Sequence, residues 1–333
     1  MLITLASVRR LCAALVAALT ALAVLAVLAV LPQAARAQAY PSKPIRIVVP
    51  QGPGGTSDLL ARAVAQKLNE AFGQQVVVDN RPGANGLIGT EMGAKAPADG
   101  YTLTFGSSPM HAINPGLYRK LPYDPITDFT PIGMLGRPFY AVIAHPAIAT
   151  NIKDLIETAK TKPGTLNFGA GSSNAWIGTE LFAAAAGIKL LHVPYKSNSQ
   201  ALIDLVGGRV DVMIEPVMSA LPHIQSGKVS ALAVTKQTRL AILPAIPTLT
   251  ESGVPYKLTP WAAMYAPAGT PIDVVRRLNA EIVKMLAMSD VIERFAALGF
   301  EPEASTPEQL GGFTRQEIAE YGRIIKEIGI PMQ

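Results

Sequence analysis

The sequence has few cysteines, few histidines and few charged residues for its length. Its 333 residues include one cysteine, Cys12, and 16% of them are charged. A single cysteine excludes an internal disulfide and a cluster of thiolate metal ligands. The four histidines, at positions 111, 145, 192 and 223, do not have the H-E-x-x-H spacing of a zinc site, and no G-x-S-x-G motif is present. We therefore expect no catalytic residues, no metal and no cofactor.

The balance of charges gives no reason to expect a nucleic-acid partner. Basic residues number 29 against 24 acidic residues, and three of the arginines lie before residue 40. No basic run or basic helix face stands out. Hydrophobic residues make up 49% of the chain, which excludes a disordered protein. The length exceeds what one hydrophobic core usually supports, so we expect two domains.

The N-terminus has the layout of a secretory signal peptide. Two arginines precede an apolar run over residues 11–31, and the small-residue sequence AARAQA ends at Ala39. Cleavage after Ala37 or after Ala39 fits the A-x-A pattern, and the second is favoured because Tyr40 and Pro41 then open the mature chain. An uncleaved membrane anchor is the alternative, since the run has about the 20 residues of a spanning helix. The prediction is a signal peptide over residues 1–39 and a location in the periplasm.

From Tyr40 onward, short β-branched runs alternate with helical patterns, which predicts an α/β fold with mostly parallel sheets. Residues 45–49 and 256–265 are among the predicted strands, and residues 57–72 form an amphipathic helix. Segments rich in proline and glycine near Pro138 and over residues 260–271 are the predicted crossings between two lobes. The predicted boundaries give lobe I residues 40–141 and 264–333, and lobe II residues 142–263. Such a hinge lets a cleft close on a ligand.

A glycine-rich loop joins the first strand to the first helix. Its glycines let backbone N–H groups approach a ligand, and the helix N-terminus that follows favours an anion such as a carboxylate or phosphate. The alternative is a tight turn in which Thr56, Ser57 or Asp58 caps the helix. The loop is not a Walker motif, and Ser57 stands where G-x-G-x-x-G requires its third glycine. A second glycine-rich turn, over residues 81–86, is interpreted as structural.

Three more polar segments follow predicted strands and precede helices. They contain Ser107 and Ser108, residues 171–174 and residues 196–199. Each segment could cap its own helix, but four such loops, two from each half, would face one another across a cleft. Glu215, at a strand end, has three interpretations: a general base, an anchor for a ligand donor, or a cap on the helix after Pro216.

Several ordered segments resemble the Bug-type, or TctC-type, periplasmic receptors that serve tripartite tricarboxylate transporters. They include YPSKPIRIVVPQGPGGTSDLLAR, VVVDNRPGANGLIGTE, ADGYTLTFGSS, HAINPGLYRKLPYDPITDFTPI, LLHVPYK and ALIDLVGGRVDVMIE. The resemblance implies a type II periplasmic binding protein fold, with two α/β lobes, a strand hinge and a cleft between them. It also implies a carboxylate held by backbone N–H and hydroxyl groups. Carried over by position, the contacts are Gln51, Gly54, Gly55, Thr56, Ser57, Ser107, Ser108, Ser172, Ser173, Ser197, Asn198 and Ser199.

Two departures from the family pattern complete the predicted set of ligand-binding residues. Trp176 stands where a histidine is frequent, and Glu215 stands where an aspartate is common. An indole at the mouth of a cleft suits a flat ligand, so we hypothesise an aromatic or heteroaromatic carboxylate. The expected role is a monomeric solute-binding receptor whose partners are a small organic carboxylate and either membrane transporter subunits or a sensor protein. The alternative is an exported enzyme acting on a small acid, which would depend on Glu215.

Overall fold

The computed structural model describes Ala13, residues 15–20, Leu22, residues 40–258 and residues 260–333. The predicted signal peptide and its cleavage site therefore lie almost wholly outside the described residues. Within these ranges, no helix has both the length and the apolar character needed to cross a membrane.

Residues 43–333 form one compact unit that contains two sheets. The strands of the six-stranded sheet are β1 (Ile45–Val49), β2 (Val76–Asn80), β3 (Thr102–Ser107), β4 (Phe129–Pro138), β10 (Ala262–Pro267) and β11 (Phe300–Pro302). The strands of the five-stranded sheet are β5 (Tyr140–Ala144), β6 (Asn167–Ala170), β7 (Leu191–Pro194), β8 (Val212–Pro216) and β9 (Ser230–Val234). Their orders are β11-β4-β10-β3-β1-β2 and β7-β6-β8-β5-β9.

Ten helices connect these strands in the described ranges from Lys43 onward, where they are numbered in chain order. They are α1 (Thr56–Phe72), α2 (Leu87–Ala94), α3 (Asn114–Leu117), α4 (Ile152–Thr161), α5 (Ser173–Ala186), α6 (Asn198–Val206), α7 (Val217–Gln225), α8 (Ile272–Leu286), α9 (Ser289–Ala296) and α10 (Pro307–Glu327). Short helical turns also cover Ala84–Gly86 and Pro109–Ile113.

The first strand and helix show how the sequence produces this arrangement. Strand β1, with the sequence IRIVV, is buried over most of its length and pairs in parallel with β2 and β3. A nearly continuous apolar run is typical of a parallel strand covered on both faces. Helix α1 buries Leu60, Val64 and Leu68 along one face, and it ends at Gly73, which adopts the left-handed conformation that favours glycine. This unit therefore places the loop before α1 at the carboxyl end of β1.

The chain passes from the first sheet to the second at Phe139, between β4 and β5. The backbone of Phe139 bonds in both directions: its N–H donates to Gly299 O, and its carbonyl accepts from Val217 N. The chain returns between β9 and β10. The strand predicted over residues 256–265 was wrong in its first part, because β10 begins at Ala262, after a proline that cannot donate to a ladder. The division into two lobes stays a prediction, with Tyr140 and Ala141 belonging to the second sheet.

The larger hydrophobic core cluster contains residues of both sheets. It includes Phe129 and Tyr265 of the first sheet and Phe168 and Ile214 of the second, all buried. A second buried cluster packs α6 and α7 against the other face of the second sheet. The apolar packing therefore continues from one sheet to the other, while polar loops occupy the strand ends.

Candidate ligand-binding cleft

A cleft lies between the loops at the strand ends of the two sheets. It has an empty volume of about 750 Å³, part of which is open to solvent. The loop before α1 meets the loop before α6 at one side: a Cβ built on Gly52 would lie 3.4 Å from Ser197 Cβ, and one on Gly55 would lie 3.5 Å from Ser199 Oγ. These are ordinary van der Waals distances, so the two loops lie about one methyl group apart at these points.

Most of the residues predicted to bind a ligand line this one cleft. The structure brings together Gln51, Gly55, Thr56, Ser57, Ser107, Ser172, Ser197, Asn198, Ser199 and Glu215. All four predicted loops contribute at least one of these residues, so the loops do face one another, as inferred from their number.

Three predicted residues lie beside the cleft and hold its walls in place. Gly54 N donates to the Asp58 carboxylate, 3.0 Å away, within the loop before α1. Ser108 is buried and its Oγ lies 3.1 Å from Asn174 Oδ1, which joins the end of β3 to the start of α5. Ser173 donates to Asn114 Oδ1 at 2.6 Å. These contacts fix the loop positions, and none of the three residues is among those that line the cleft.

Trp176 is also outside the cleft lining. Its indole stacks on His192, with ring centroids 5.1 Å apart and an interplanar angle of 12°. His192 stacks in turn on Phe168, so Trp176 completes a row of three rings on the second sheet. The structure therefore gives this side chain a packing role.

The residues that line the cleft without having been predicted as ligand contacts include Trp261, Asn85 and Gly86. Trp261, 1% exposed, precedes β10 and donates its indole N–H to Glu317 Oε2 at 3.0 Å. Asn85 and Gly86 come from the turn that was interpreted as structural, and both have positive φ, 55° and 85°. Positive φ is uncommon outside glycine, and asparagine is among the residues that tolerate it best. An asparagine inside a glycine-rich turn was therefore the sequence signal that could have pointed to Asn85.

The N-terminus of α1 has unused hydrogen-bond donors facing the cleft. Gly55 is the N-cap residue and no side chain caps the helix, so the alternative in which Thr56, Ser57 or Asp58 caps it is wrong. Leu59 N makes the first backbone bond of the helix, to Gly55 O, which leaves the N–H groups of the first turn without helical partners. Thr56 Oγ1 is buried and has no partner among the described residues. This set of donors suits an anion.

The loops of the second sheet combine helix capping with a contact between the loops. Ser172 Oγ accepts from Ala175 N, and Ser197 Oγ accepts from Gln200 N, so these two serines do cap their own helices. Asn198 Oδ1 accepts from Gly171 N at 2.8 Å, which ties the loop before α6 to the loop before α5. The two capped helices therefore present a connected polar wall to the cleft.

Glu215 lies at the end of β8, 2% exposed. Its Oε2 accepts from Asn198 Nδ2 at 2.7 Å and its Oε1 from Ser219 Oγ at 2.5 Å. Helix α7 begins without a side-chain cap, so the predicted capping role was wrong. Burial raises the pKa of Glu215 to about 7, and the hydrogen bonds from Ser219 and Asn198 oppose this shift.

Charged groups are scarce in the cleft. Among the described residues that line it, Lys196 and Glu215 are the only ones of the basic and acidic residue types. The part of the chain that the structure describes contains no group of histidine, cysteine, aspartate or glutamate able to hold a metal ion. His111, next to the cleft wall, is fully buried, and burial lowers its pKa to about 3, so its ring is neutral. The lining that the structure describes therefore offers mainly neutral hydrogen-bond donors, with Lys196 as its cation.

Comparison with known proteins identifies related receptors. The model of the tripartite tricarboxylate transporter family receptor, TctC, matches residues 60–330. The protein BugT of Bordetella pertussis is 38% identical over 303 residues, which cover 89% of this chain and 93% of BugT. The solved structure of Rpa4515 of R. palustris with adipate is 35% identical, with a TM-score of 0.86, and the match covers 88% of this chain and all of that one. The periplasmic binding protein BugD is 34% identical, with a TM-score of 0.84, covering 88% of this chain and all of BugD.

Proposed function

Because the chain belongs to the tripartite tricarboxylate transporter receptor family, and not to a family of enzymes, we propose that it captures a small organic carboxylate for a membrane transporter. The ligand occupies the cleft between the two sheets. The similarity to Rpa4515, solved with adipate, supports a carboxylate as the ligand class.

The open N-terminus of α1 carries this proposal. A carboxylate seated there accepts hydrogen bonds from the first-turn N–H groups and from Thr56 Oγ1, which is buried and has no partner among the described residues. Hydrogen bonds to a charged group contribute about 1.5–3 kcal/mol each. The partial positive charge of the helix end adds to the attraction without a cationic side chain.

The remainder of the ligand contacts apolar side chains of the same cleft. Leu60, Phe105 and Trp261 form part of its wall, but each is only 1% exposed, so the apolar surface that they offer is small. An aromatic body could contact the exposed edges of Phe105, Tyr140 and Trp261, which are the aromatic residues of the cleft lining, since Trp176 lies elsewhere. The aromatic class thus remains part of the proposal, with different residues supporting it.

Contacts between the sheets support closure of two lobes around the ligand. Asn85 Nδ2 donates to Ser173 Oγ at 2.9 Å, and Ser108 Oγ lies 3.1 Å from Asn174 Oδ1. In each pair, one residue follows a strand of the first sheet and the other begins α5 of the second. We propose that these bonds hold the closed form and that the hinge lies at Phe139 and between β9 and β10.

We further propose that the protein acts in the periplasm as a monomer. The related BugD is a periplasmic binding protein, which supports this location. The two arginines followed by the apolar run over residues 11–31 and AARAQA support export by a cleaved signal peptide. Membrane subunits of a tripartite transporter are the proposed partners.

The test is a thermal-shift screen of the purified protein against aliphatic and aromatic carboxylates. A ligand at about 100 times its dissociation constant adds about 2.7 kcal/mol to the free energy of unfolding, an easily measured rise. A hit that persists unconsumed supports a receptor, whereas its conversion to product contradicts one.

The variant Thr56→Val tests the place of the carboxylate. It removes a hydroxyl that has no partner among the described residues, so the free protein keeps its stability while affinity falls by about 1.5–3 kcal/mol. The matched control is Thr104→Val, because Thr104 Oγ1 is also buried, has no partner among the described residues, and lies outside the cleft lining. Equal ligand affinities of the two variants would contradict the proposed position of the carboxylate at the N-terminus of α1.

A further inference from the structure

Glu215 is a buried carboxyl group that lines the cleft and has only neutral partners among the described residues. Its two oxygens contact the Asn198 amide and the Ser219 hydroxyl, and no cation contributes to its electrostatic environment. An ionised carboxylate is costly to bury unless a cation pairs with it. The group therefore needs either a proton or a cation supplied by the ligand.

The hydrogen bonds around Glu215 leave the proton of a neutral carboxyl group free for the ligand. Asn198 Oδ1 accepts from Gly171 N, which fixes the amide so that Nδ2 donates to Glu215 Oε2. Ser219 Oγ lies 2.5 Å from Glu215 Oε1 and 3.0 Å from Pro216 O. Ser219 Oγ donates to Glu215 Oε1 and Asn198 Nδ2 donates to Oε2, so a proton on the carboxyl group has no acceptor in these two contacts and can be donated to the ligand.

The other ionisable groups on elements packed against β8 leave Glu215 without a counter-ion. Asp204 is already bonded to Arg209 and to Tyr195. The exposed Lys196 side chain forms no ion pair with Glu215 in the part of the chain that the structure describes. The ionisable residues on these elements and the adjoining loop are Tyr140 on β5, Glu180 on α5, Lys196 before α6, Asp204 on α6 and His223 on α7.

We propose that Glu215 meets the ligand as a neutral carboxylic acid, so that the cleft takes up one proton when it closes on an anion. This inference rests on the proposed function, since it requires a carboxylate in the same cleft. A second uncompensated negative charge in a closed cleft is unfavourable, and a proton on Glu215 removes it. Burial already raises the pKa of Glu215 to about 7, so the proton is available near neutral pH.

The ligand class follows from this state of Glu215. A cleft that is neutral at Glu215 accepts ligands with a hydrogen-bond acceptor at both ends, above all dicarboxylates. It disfavours an amino acid of the same length, whose ammonium group would require an ionised Glu215 as its counter-ion. Glu215 is thus a specificity-determining residue of the receptor.

The experiment is calorimetric titration of the purified protein with matched pairs of probes between pH 6.5 and 8.5. The pairs are succinate and β-alanine, glutarate and 4-aminobutyrate, adipate and 5-aminopentanoate, and terephthalate and 4-aminobenzoate. Two buffers with different ionisation enthalpies report the protons taken up. We expect a dicarboxylate to bind, its affinity to fall about tenfold per pH unit above pH 7, and about one proton to be taken up at pH 8.

The variant Glu215→Gln, which is permanently neutral, should bind the same dicarboxylate at pH 8 as tightly as the unmodified protein does at pH 6.5, without proton uptake. Glu180→Gln is the matched control, because burial also raises the pKa of Glu180 and this residue lies outside the cleft lining. It should keep the original pH profile. If Glu215→Gln does not fold, proton uptake by the unmodified protein decides alone.

Opposite results overturn the inference. Tighter binding of the amino-acid probe, affinity that rises with pH and loss of binding in Glu215→Gln would make Glu215 the counter-ion of a ligand cation. Binding of a dicarboxylate that neither depends on pH nor takes up a proton would leave the receptor function intact and remove the role of Glu215. Failure of every probe at every pH would contradict the proposed function itself.

Discussion

Gly171→Ala adds a methyl group at a point where two loops of the cleft touch through their backbones. A Cβ at position 171 would lie 2.0 Å from the carbonyl carbon of Ser197 and 2.3 Å from Asn198 N, and both of these are backbone atoms. Ordinary contacts of a Cβ begin at about 3.4 Å, so the loop before α6 must retreat by about 1.4 Å, the difference from 2.0 Å. No side-chain rotation can relieve this clash.

The retreat has two energetic consequences. Overpacking of a well-packed site costs about 1–3 kcal/mol. The hydrogen bond from Gly171 N to Asn198 Oδ1, 2.8 Å long, is lost as the loops separate, at about 1 kcal/mol. We therefore expect the free energy of unfolding to fall by about 2–4 kcal/mol. Ligand affinity should fall at least about tenfold, because Ser197, Asn198 and Ser199 all move away from the cleft.

Urea unfolding and calorimetric titration of the best ligand from the carboxylate screen measure both effects. The control is Gly312→Ala, because Gly312 lies within α10 and a Cβ there meets no atom within 4 Å. This control should be neutral or gain about 0.5–1 kcal/mol, since alanine is the better helix former. If Gly171→Ala keeps both stability and affinity, the close contact between the two loops is not what shapes the cleft.

Three further variants test separate parts of the structure. Trp176→Phe reduces the contact with His192, so it should lower the free energy of unfolding by about 1–2 kcal/mol and leave ligand affinity unchanged. Weaker ligand binding in calorimetric titration would show instead that the indole contacts the ligand. Thr306→Ala removes the capping box with Gln309 and should cost about 1 kcal/mol in urea unfolding, and unchanged stability would contradict this cap. The pKa of Glu215 is raised from 4.5 to about 7, so the folded protein binds this proton more tightly than the unfolded chain does. The resulting contribution to the free energy of unfolding is about 3 kcal/mol; it is complete below pH 4.5 and is lost as the pH rises through 7. Glu215→Gln should lack this decline between pH 5 and 8 in urea unfolding, and identical pH profiles would contradict burial as the cause.

Local patterns predicted the elements whose residues match their environment. Strand β1 is a run of apolar, mostly β-branched residues, and it was predicted with its observed bounds. Strand β4 was not predicted, because its sequence FTPIGMLGRP contains two prolines and two glycines, which are depleted from strands. Its pairing with β10 includes register shifts, and Gly136 within it has a φ of 140°. Pairing with residues more than a hundred positions away therefore overrides the local preference.

The same distinction separates the predicted cleft residues from the missed ones. Serines and glycines that follow a strand could be predicted as cleft residues, because the carboxyl ends of parallel strands share one edge of a sheet. Trp261 reaches the cleft through an antiparallel pairing, in which Ala262 lies opposite Ser107. Asn85 reaches it through a turn with positive φ at four successive residues, from Gly83 to Gly86. No periodic pattern in the sequence encodes either arrangement.

Trp176 shows how a small error in a predicted helix boundary changes a functional hypothesis. The hypothesis of an indole at the mouth of the cleft requires the helix to begin at about Trp176, which would place this residue at the open end of the helix. Helix α5 instead begins at Ser173, so Asn174 faces the first sheet, where it contacts Ser108. Successive helical residues are separated by about 100°, so Trp176 lies about 200° further round and faces away from that contact. The indole therefore packs on His192, and any aromatic selectivity of the cleft must come from Phe105, Tyr140 and Trp261, the aromatic residues of its lining.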